Sequence, residues 1–164
     1  MNISIIKIGG NVIDFPAKLE EFLFLFSRFP GKKILVHGGG IMATKFGESL
    51  GVMPEMVDGR RITDKETLDI VTMVYAGLIN KQVVAKLQGL KQNAIGMTGA
   101  DGNLIRSDKR PVKTIDYGFV GDIKEVNVDL IQMLLDKDII PVVCAITHDK
   151  KGQLLNTNAD SIAS

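Results

Sequence analysis

The chain of 164 residues has no tryptophan, one cysteine and few aromatic residues, seven phenylalanines and two tyrosines. A single cysteine excludes a disulfide or a cysteine-based zinc site within one chain. Cys144 lies in the apolar run IIPVVCAI, which favours a small buried side chain over a reactive thiol. The scarcity of aromatic rings argues against a surface on which nucleic-acid bases stack.

The chain also lacks an excess of charge of either sign, with 20 lysines and arginines against 19 aspartates and glutamates. This balance gives no indication of a surface for polyanions, so we expect no nucleic-acid partner. No basic segment leads into an apolar one at the N-terminus, and no run of apolar residues approaches the roughly 18 of a membrane span. We therefore expect a soluble, cytoplasmic protein without a membrane partner.

Short apolar runs typical of strands alternate with segments of helical periodicity. The first four are ISIIKI (3–8), PAKLEEFLFLFSRF (16–29), KKILVH (32–37) and IMATKFGESLG (41–51). Strands buried on both faces of a parallel sheet read as continuous apolar runs, as the two strand-like segments do here. The alternation predicts the α/β class. With no repeat or linker in the chain, we expect a single domain over residues 1–164.

The rest of the chain continues this pattern with one long helical segment. Residues 62–90 have apolar residues at helical spacing, with a capping-box pattern at Thr63 and Glu66 and a possible break at Gly77. Residues 93–99 read as a strand, 100–126 as β-hairpins, 128–138 as a helix and 139–146 as a strand. The final LLNTNADSIAS reads as a loop entering a helix with no stop signal, so we expect the chain to be part of a longer protein.

Two glycine clusters follow successive predicted strands. Gly9-Gly10 comes after the first and Gly38-Gly39-Gly40 after the second. Ligands of open α/β sheets bind at the carboxyl ends of the strands, where glycines allow backbone N–H groups to approach an anion. Lys7 precedes the first cluster and could neutralise charge on a transferring phosphoryl group. The alternative is that the glycines form tight turns without a ligand and that Lys7 is an edge charge.

Other phosphate-binding and catalytic patterns are weaker. The Walker pattern is absent, which disfavours a P-loop hydrolase. GGGIMA fits a dinucleotide fingerprint with Asp58 as its acidic residue, but the match lies on the second strand and Asp58 reads as a loop residue. His37 could be a general base, although a histidine that ends a buried strand is more often a hydrogen-bonded structural group.

Two further segments carry groups suited to a polar substrate. In DGRRIT, Arg60 and Arg61 are adjacent, so in an extended segment we expect at most one of them to face a site and hold a carboxylate. NTNAD supplies two amides and a carboxylate, either to orient a substrate and neighbouring lysines or to form an Asx turn and helix cap.

The segments KIGGNVID, ILVHGGG, DGRRIT and LLNTNADSIA, in this order and at these intervals, resemble the N-terminal portion of acylglutamate kinases in the amino acid kinase family. The resemblance spans essentially the whole chain. It implies a three-layer α/β/α sandwich with a mainly parallel central sheet. It also implies transfer of the γ-phosphoryl group of ATP, accompanied by Mg²⁺ and without a protein-held metal, to the side-chain carboxylate of N-acetylglutamate, giving an acyl phosphate in arginine biosynthesis.

The same resemblance implies a role for individual residues. Lys7 would stabilise the transferring phosphoryl group and Asp160 would organise the catalytic lysines. Gly9 and Gly10 would form the loop on the phosphate side of the ATP co-substrate. Gly39, Gly40, Arg61 and Asn156 would bind the acyl amino acid, with Arg61 on its α-carboxylate. Residues 1–164 would be the acyl-amino-acid-binding domain that forms a homodimer, and the C-terminal nucleotide-binding domain would be absent from this chain.

Three expectations follow from departures from the family pattern. Without the nucleotide-binding domain and its second catalytic lysine, these 164 residues alone would bind the acyl amino acid or dimerise without kinase activity. The region MTGADGNLIRSDKRP, expected to shape the acyl pocket, matches the family less clearly, so a bulkier acyl group such as succinyl could replace acetyl. The short segment before Lys7 favours insensitivity to arginine.

Overall fold

The fold is built from ten strands and seven α-helices within the residues that the computed structural model describes, 3–57 and 59–164. In chain order the strands are β1 (Ile3–Ile8), β2 (Lys32–His37), β3 (Met56–Val57), β4 (Arg60–Arg61), β5 (Ala94–Met97), β6 (Ile105–Lys109), β7 (Gly121–Val126), β8 (Ile140–Cys144), β9 (Ile146–His148) and β10 (Leu154–Asn156). The helices are α1 (Gly10–Ile13), α2 (Pro16–Arg28), α3 (Gly40–Ser49), α4 (Lys65–Thr72), α5 (Asn80–Gly89), α6 (Val128–Asp136) and α7 (Ala159–Ala163).

The central sheet is parallel and has the strand order β1-β2-β8-β5. Strands β2 and β8 are almost wholly buried, as their continuous apolar sequences predict. Ile8 pairs with His37, and His37 with Cys144, so three strands end at the same edge of the sheet. Helices flank this sheet in a three-layer α/β/α arrangement, and the predicted fold class is confirmed.

A second, mixed sheet with the order β10-β9-β6-β7 lies beside the first. Its hairpin of β6 and β7 was predicted, and a bulge between Arg106 and Ser107 shifts its register. The antiparallel pairs β9–β10 and β3–β4 were not predicted, because strands of two or three residues show no periodicity. An isolated bridge between Val120, which precedes β7, and Asn156, which ends β10, links the two edge strands of this sheet.

The helical segment after β4 runs without a break from Lys65 to Gly89 and differs from the prediction at two points. Its N-cap is Asp64, whose side chain accepts a hydrogen bond from the Thr67 amide at 2.8 Å. The predicted capping box at Thr63 is wrong because the Thr63 hydroxyl donates to the Arg61 carbonyl instead. The helix does not break near Gly77 but widens into a π-helical segment, Met73–Ile79, that joins α4 to α5.

This 25-residue helix is long and apolar enough to cross a membrane by length and composition, which the sequence analysis did not anticipate. The core helix of a soluble protein meets the same criterion. Here the side chains of Leu68, Val71, Ile79, Val83 and Leu87 are at most 1% exposed and belong to the hydrophobic core.

Candidate active site

A cleft of about 280 Å³ opens at the edge where β1, β2 and β8 end. It is lined by every site residue predicted from the sequence, namely Lys7, Gly9, Gly10, Gly39, Gly40, Arg61, Asn156 and Asp160. These residues come from four separated segments of the chain, and the parallel sheet brings them together. The predicted site residues therefore lie together in one cleft, as their predicted roles require.

Lys7 and Asp160 form an ion pair at one end of the cleft, with Nζ 2.8 Å from Oδ1. Lys7 lies near the end of β1, and Asp160 lies in the first turn of α7. Asn158 caps α7 by accepting a hydrogen bond from the Asp160 amide at 2.7 Å, which fixes the start of the helix. The two side chains are 31% and 70% exposed, so the pair remains accessible to a ligand.

The first glycine pair has little room for a side chain at Gly10 and faces the Lys7 ammonium at Gly9. A Cβ atom added at Gly10 would lie 2.6 Å from Oδ2 of Asp14, and one at Gly9 would lie 3.6 Å from the Lys7 ammonium. Any larger group at Gly9 would therefore approach the Lys7 charge. The absence of side chains keeps the backbone open beside Lys7.

The second glycine cluster turns the chain from β2 into α3. Gly39 has a φ of +147°, and a Cβ atom there would lie 2.1 Å from Cδ1 of Ile79. Nothing lies within 4 Å of a Cβ atom at Gly40. Gly39 is thus required by the turn and by close packing, whereas Gly40 leaves space open.

Arg61 is tied to the start of α3. Its Nη2 donates to the Gly40 carbonyl at 3.0 Å and to the Thr44 hydroxyl at 2.8 Å. Arg60 lines the cleft as well, so the prediction that at most one of the two arginines faces the site is wrong. Strict alternation fails because β4 is only two residues of a hairpin at the rim. Asp58, considered above as a dinucleotide-binding residue, lies outside the described residues.

Asn156 lies at the end of β10 and is oriented by Thr63. Its Nδ2 donates to the buried Thr63 hydroxyl at 3.1 Å. The next residue, Thr157, pairs its hydroxyl with that of Thr147 at 2.8 Å, and both side chains are buried. These contacts hold the NTNAD segment in a fixed position along the cleft.

His37 is fully buried below the glycine cluster and has no role at the cleft surface. The Asn80 amide donates to its Nε2 at 3.0 Å and to the Val142 carbonyl at 2.9 Å. Nδ1 therefore carries the proton and donates to the Gly38 carbonyl at 2.9 Å. Burial lowers the pKa of His37 to about 4, and the ring is neutral.

The depressed pKa of His37 predicts a loss of stability at mildly acidic pH. Between pH 6.5 and 4 the unfolded histidine binds a proton and the folded one does not, so stability is complete above pH 6.5 and falls as the pH is lowered. We expect the free energy of unfolding to drop by about 2 kcal/mol from pH 7 to pH 5. Urea titrations at both pH values measure it. A His37→Gln variant should show a smaller drop, and an equal drop in both proteins would contradict the assignment.

Arg110 is a third arginine of the cleft, and the sequence analysis missed it. Its Nε donates to Oδ1 of Asp122 at 3.0 Å, and this hydrogen bond is the main cause that lowers the pKa of Asp122. Arg60 and Arg110 also line an adjoining cavity of about 520 Å³, together with Lys113. The only sequence signal for Arg110 was its position in the predicted hairpin region, and that signal did not distinguish Arg110 from the charged residues near it.

The site has the composition expected for an anionic ligand. Lysine and arginine side chains face the cleft beside two glycine turns, and among residues 3–57 and 59–164 no three histidine, cysteine, aspartate or glutamate side chains cluster as a metal site would require. A parallel sheet with such a cleft at the carboxyl ends of its strands defines an α/β protein whose cleft at this edge suits an anionic ligand.

Comparison with known proteins identifies the family. Residues 2–164 match the profile of the amino acid kinase family, and the chain belongs to that family. It is 57% identical over 159 residues to the acetylglutamate kinase of Parabacteroides distasonis and 59% identical over 161 residues to that of Cytophaga hutchinsonii. These alignments cover 97% and 98% of the chain but 62% and 61% of the two relatives, so the chain spans less than two thirds of their length.

Solved structures agree with the fold. The crystal structure of smu.665 from Streptococcus mutans gives a TM-score of 0.80 at 26% identity. The match covers 98% of this chain and 65% of the smu.665 chain. The N-acetylglutamate synthase of Neisseria gonorrhoeae, complexed with coenzyme A and N-acetylglutamate, also gives a TM-score of 0.80, at 20% identity and over 37% of its chain. The second likeness shows the fold alone.

Proposed function

We propose that the protein transfers the γ-phosphoryl group of ATP to the side-chain carboxylate of an N-acylglutamate. The observation that carries this proposal is the Lys7–Asp160 pair between the two glycine turns, in the same cleft as Arg61 and Asn156. The names of the relatives support N-acetylglutamate as the acceptor.

Phosphoryl transfer between two anions depends on positioning and positive charge more than on a covalent nucleophile. Arg61, held by Gly40 and Thr44, would bind the α-carboxylate and set the orientation of the acceptor. Asn156, held by Thr63, would hydrogen-bond the amide of the acyl group or the adjacent backbone. The side-chain carboxylate would then point toward Lys7.

Lys7 would balance the charge that builds on the transferring phosphoryl oxygens, and Asp160 would keep its ammonium in place. Gly9 and Gly10 leave space beside Lys7 for those oxygens. Mg²⁺ would enter with ATP and neutralise part of its phosphate charge. The other contacts to the nucleotide are not assigned to residues of this chain.

The proposal concerns the intact protein, as a cytoplasmic homodimer in arginine biosynthesis. Exposed Met73 and Leu78 on the long helix offer apolar surface for a second copy. The alternative is that these 164 residues bind the acyl amino acid or dimerise without transferring phosphate. Calorimetry of the chain tests the alternative, which predicts heat with N-acylglutamate and none with ATP.

The acyl group is the least constrained part of the substrate. Arg60 and Arg110 are not needed for the two carboxylates of glutamate, yet both line the cleft and the adjoining cavity. An acyl group that ends in a carboxylate, such as succinyl, would meet these guanidinium groups. Acetyl would leave Arg60 without a ligand, while Arg110 keeps its ion pair with Asp122.

Trapping with hydroxylamine tests the activity directly, since hydroxylamine converts an acyl phosphate to a hydroxamate. The intact protein with Mg-ATP should yield a hydroxamate from N-acetylglutamate or N-succinylglutamate and none from free glutamate. The ratio of kcat/KM for the two acyl substrates decides the acyl group. If neither substrate gives a hydroxamate, the protein is not the proposed kinase.

A further inference from the structure

Tyr75 lines the cleft, and the proposed reaction assigns no role to it. It lies in the π-helical segment Met73–Ile79 and lines the cleft together with Gly39 and Arg61. A π-helical turn is rare within an α-helix and often occurs at a functional site. Here it places a large side chain at the wall of the cleft.

The Tyr75 ring is held firmly by its surroundings. The side chain belongs to the core, with only 6% of the residue exposed. Its Cδ1 and Cε1 atoms lie 3.3 Å and 3.4 Å from the position of a Cβ atom at Gly39, so the ring packs directly on the glycine turn. A ring fixed in this way presents its hydroxyl at a defined position.

Tyr75 and Arg61 meet at the same glycine turn, because the Tyr75 ring packs on Gly39 and Arg61 donates to the carbonyl of Gly40. Burial raises the pKa of Tyr75, and the neighbouring Arg61 charge opposes this only in part. The phenol is therefore protonated at neutral pH and can donate a hydrogen bond. Arg61 is itself fixed by the Gly40 carbonyl and the Thr44 hydroxyl, so both donors are held in place at one glycine turn of the cleft.

We propose that Tyr75 is a substrate-binding residue whose hydroxyl donates a hydrogen bond to the α-carboxylate held by Arg61. This inference rests on the proposed function. A neutral donor beside a guanidinium adds a directed contact to an anion without adding charge, and it favours a planar carboxylate in one orientation. The π-helical turn then has a functional reason, because it brings the Tyr75 ring onto Gly39.

The Tyr75→Phe variant of the intact protein tests the hydroxyl while keeping the ring on Gly39. We expect KM for the N-acylglutamate to rise about tenfold, with kcat within twofold and KM for ATP unchanged, since a hydrogen bond to a charged group is worth roughly this factor. The matched control is Thr72→Val, which removes a hydroxyl from the same helix. The Thr72 hydroxyl is buried without a partner among the described residues, and the control should leave all three constants unchanged.

A substrate analogue locates the contact. N-acetyl-4-aminobutyrate keeps the reacting carboxylate and lacks the α-carboxylate, and its competitive inhibition constant can be measured for both proteins. Tyr75→Phe should leave that constant unchanged. An equal rise for analogue and substrate would overturn the proposal, because the lost contact would then lie elsewhere.

Failure of this inference is distinct from failure of the proposed function. A wild-type protein that forms hydroxamate, with an unchanged KM in Tyr75→Phe, refutes only the role of Tyr75. A wild-type protein that forms none refutes the kinase itself.

Discussion

The Lys7→Met variant of the intact protein is expected to form acyl phosphate about 10²–10³ times more slowly than the wild type. The reason is that a positioned positive group at the transferring phosphoryl acts mainly in the transition state, and loss of one such donor costs about this factor in kcat. KM for the N-acylglutamate should change less than threefold, because Arg61 and Asn156 bind the acceptor. Hydroxamate formation at saturating substrate measures the effect.

A suitable control is Lys151→Met, which removes the same charge from an exposed bend between β9 and β10 that does not line the cleft. Its kcat should equal that of the wild type. The thermal midpoint of Lys7→Met should stay close to the wild-type value, because the Lys7–Asp160 pair is partly exposed and such pairs stabilise a fold by about 1 kcal/mol or less. A kcat within threefold of wild type would exclude Lys7 from the transfer step.

The central sheet could be predicted because each of its strands has a recognisable apolar pattern within its own few residues. Buried parallel strands such as β2 read as continuous apolar runs, and the helix α2 has a clear apolar face. The pairs β3–β4 and β9–β10 could not be predicted, since their positions depend on distant partners. The Thr63 amide donates to the Tyr117 carbonyl and the Asn156 amide to the Phe119 carbonyl, across long intervals of sequence.

The candidate site likewise contains residues that the local sequence reveals and residues that it does not. Lys7 and the glycine pairs stand out locally, and their order along the chain carries the family resemblance. Tyr75 could not be found, because a buried tyrosine on an amphipathic helix resembles any core residue and a π-helical turn has no pattern of its own. Arg60 was misjudged because alternation holds along a regular strand and not in a two-residue hairpin strand.

The Gly39→Ala variant is expected to lose about 2–6 kcal/mol of stability. Its φ of +147° strains any residue with a side chain, at a cost of about 1–3 kcal/mol. The added methyl group would also lie 2.1 Å from Cδ1 of Ile79, and forcing extra volume into a packed core costs about 1–3 kcal/mol more. Urea unfolding at pH 7, above the range in which His37 titrates, measures the loss.

Gly40→Ala is the matched control, one residue further along the same turn. Gly40 begins α3, and a Cβ atom there meets nothing within 4 Å. Where the native backbone suits alanine, such a change stabilises a protein by about 0.4–1 kcal/mol by restricting the unfolded chain. The two variants should therefore move stability in opposite directions. If Gly39→Ala proves as stable as Gly40→Ala, Ile79 must yield to the methyl group, and the close packing of the long helix on the glycine turn is not a requirement of the fold.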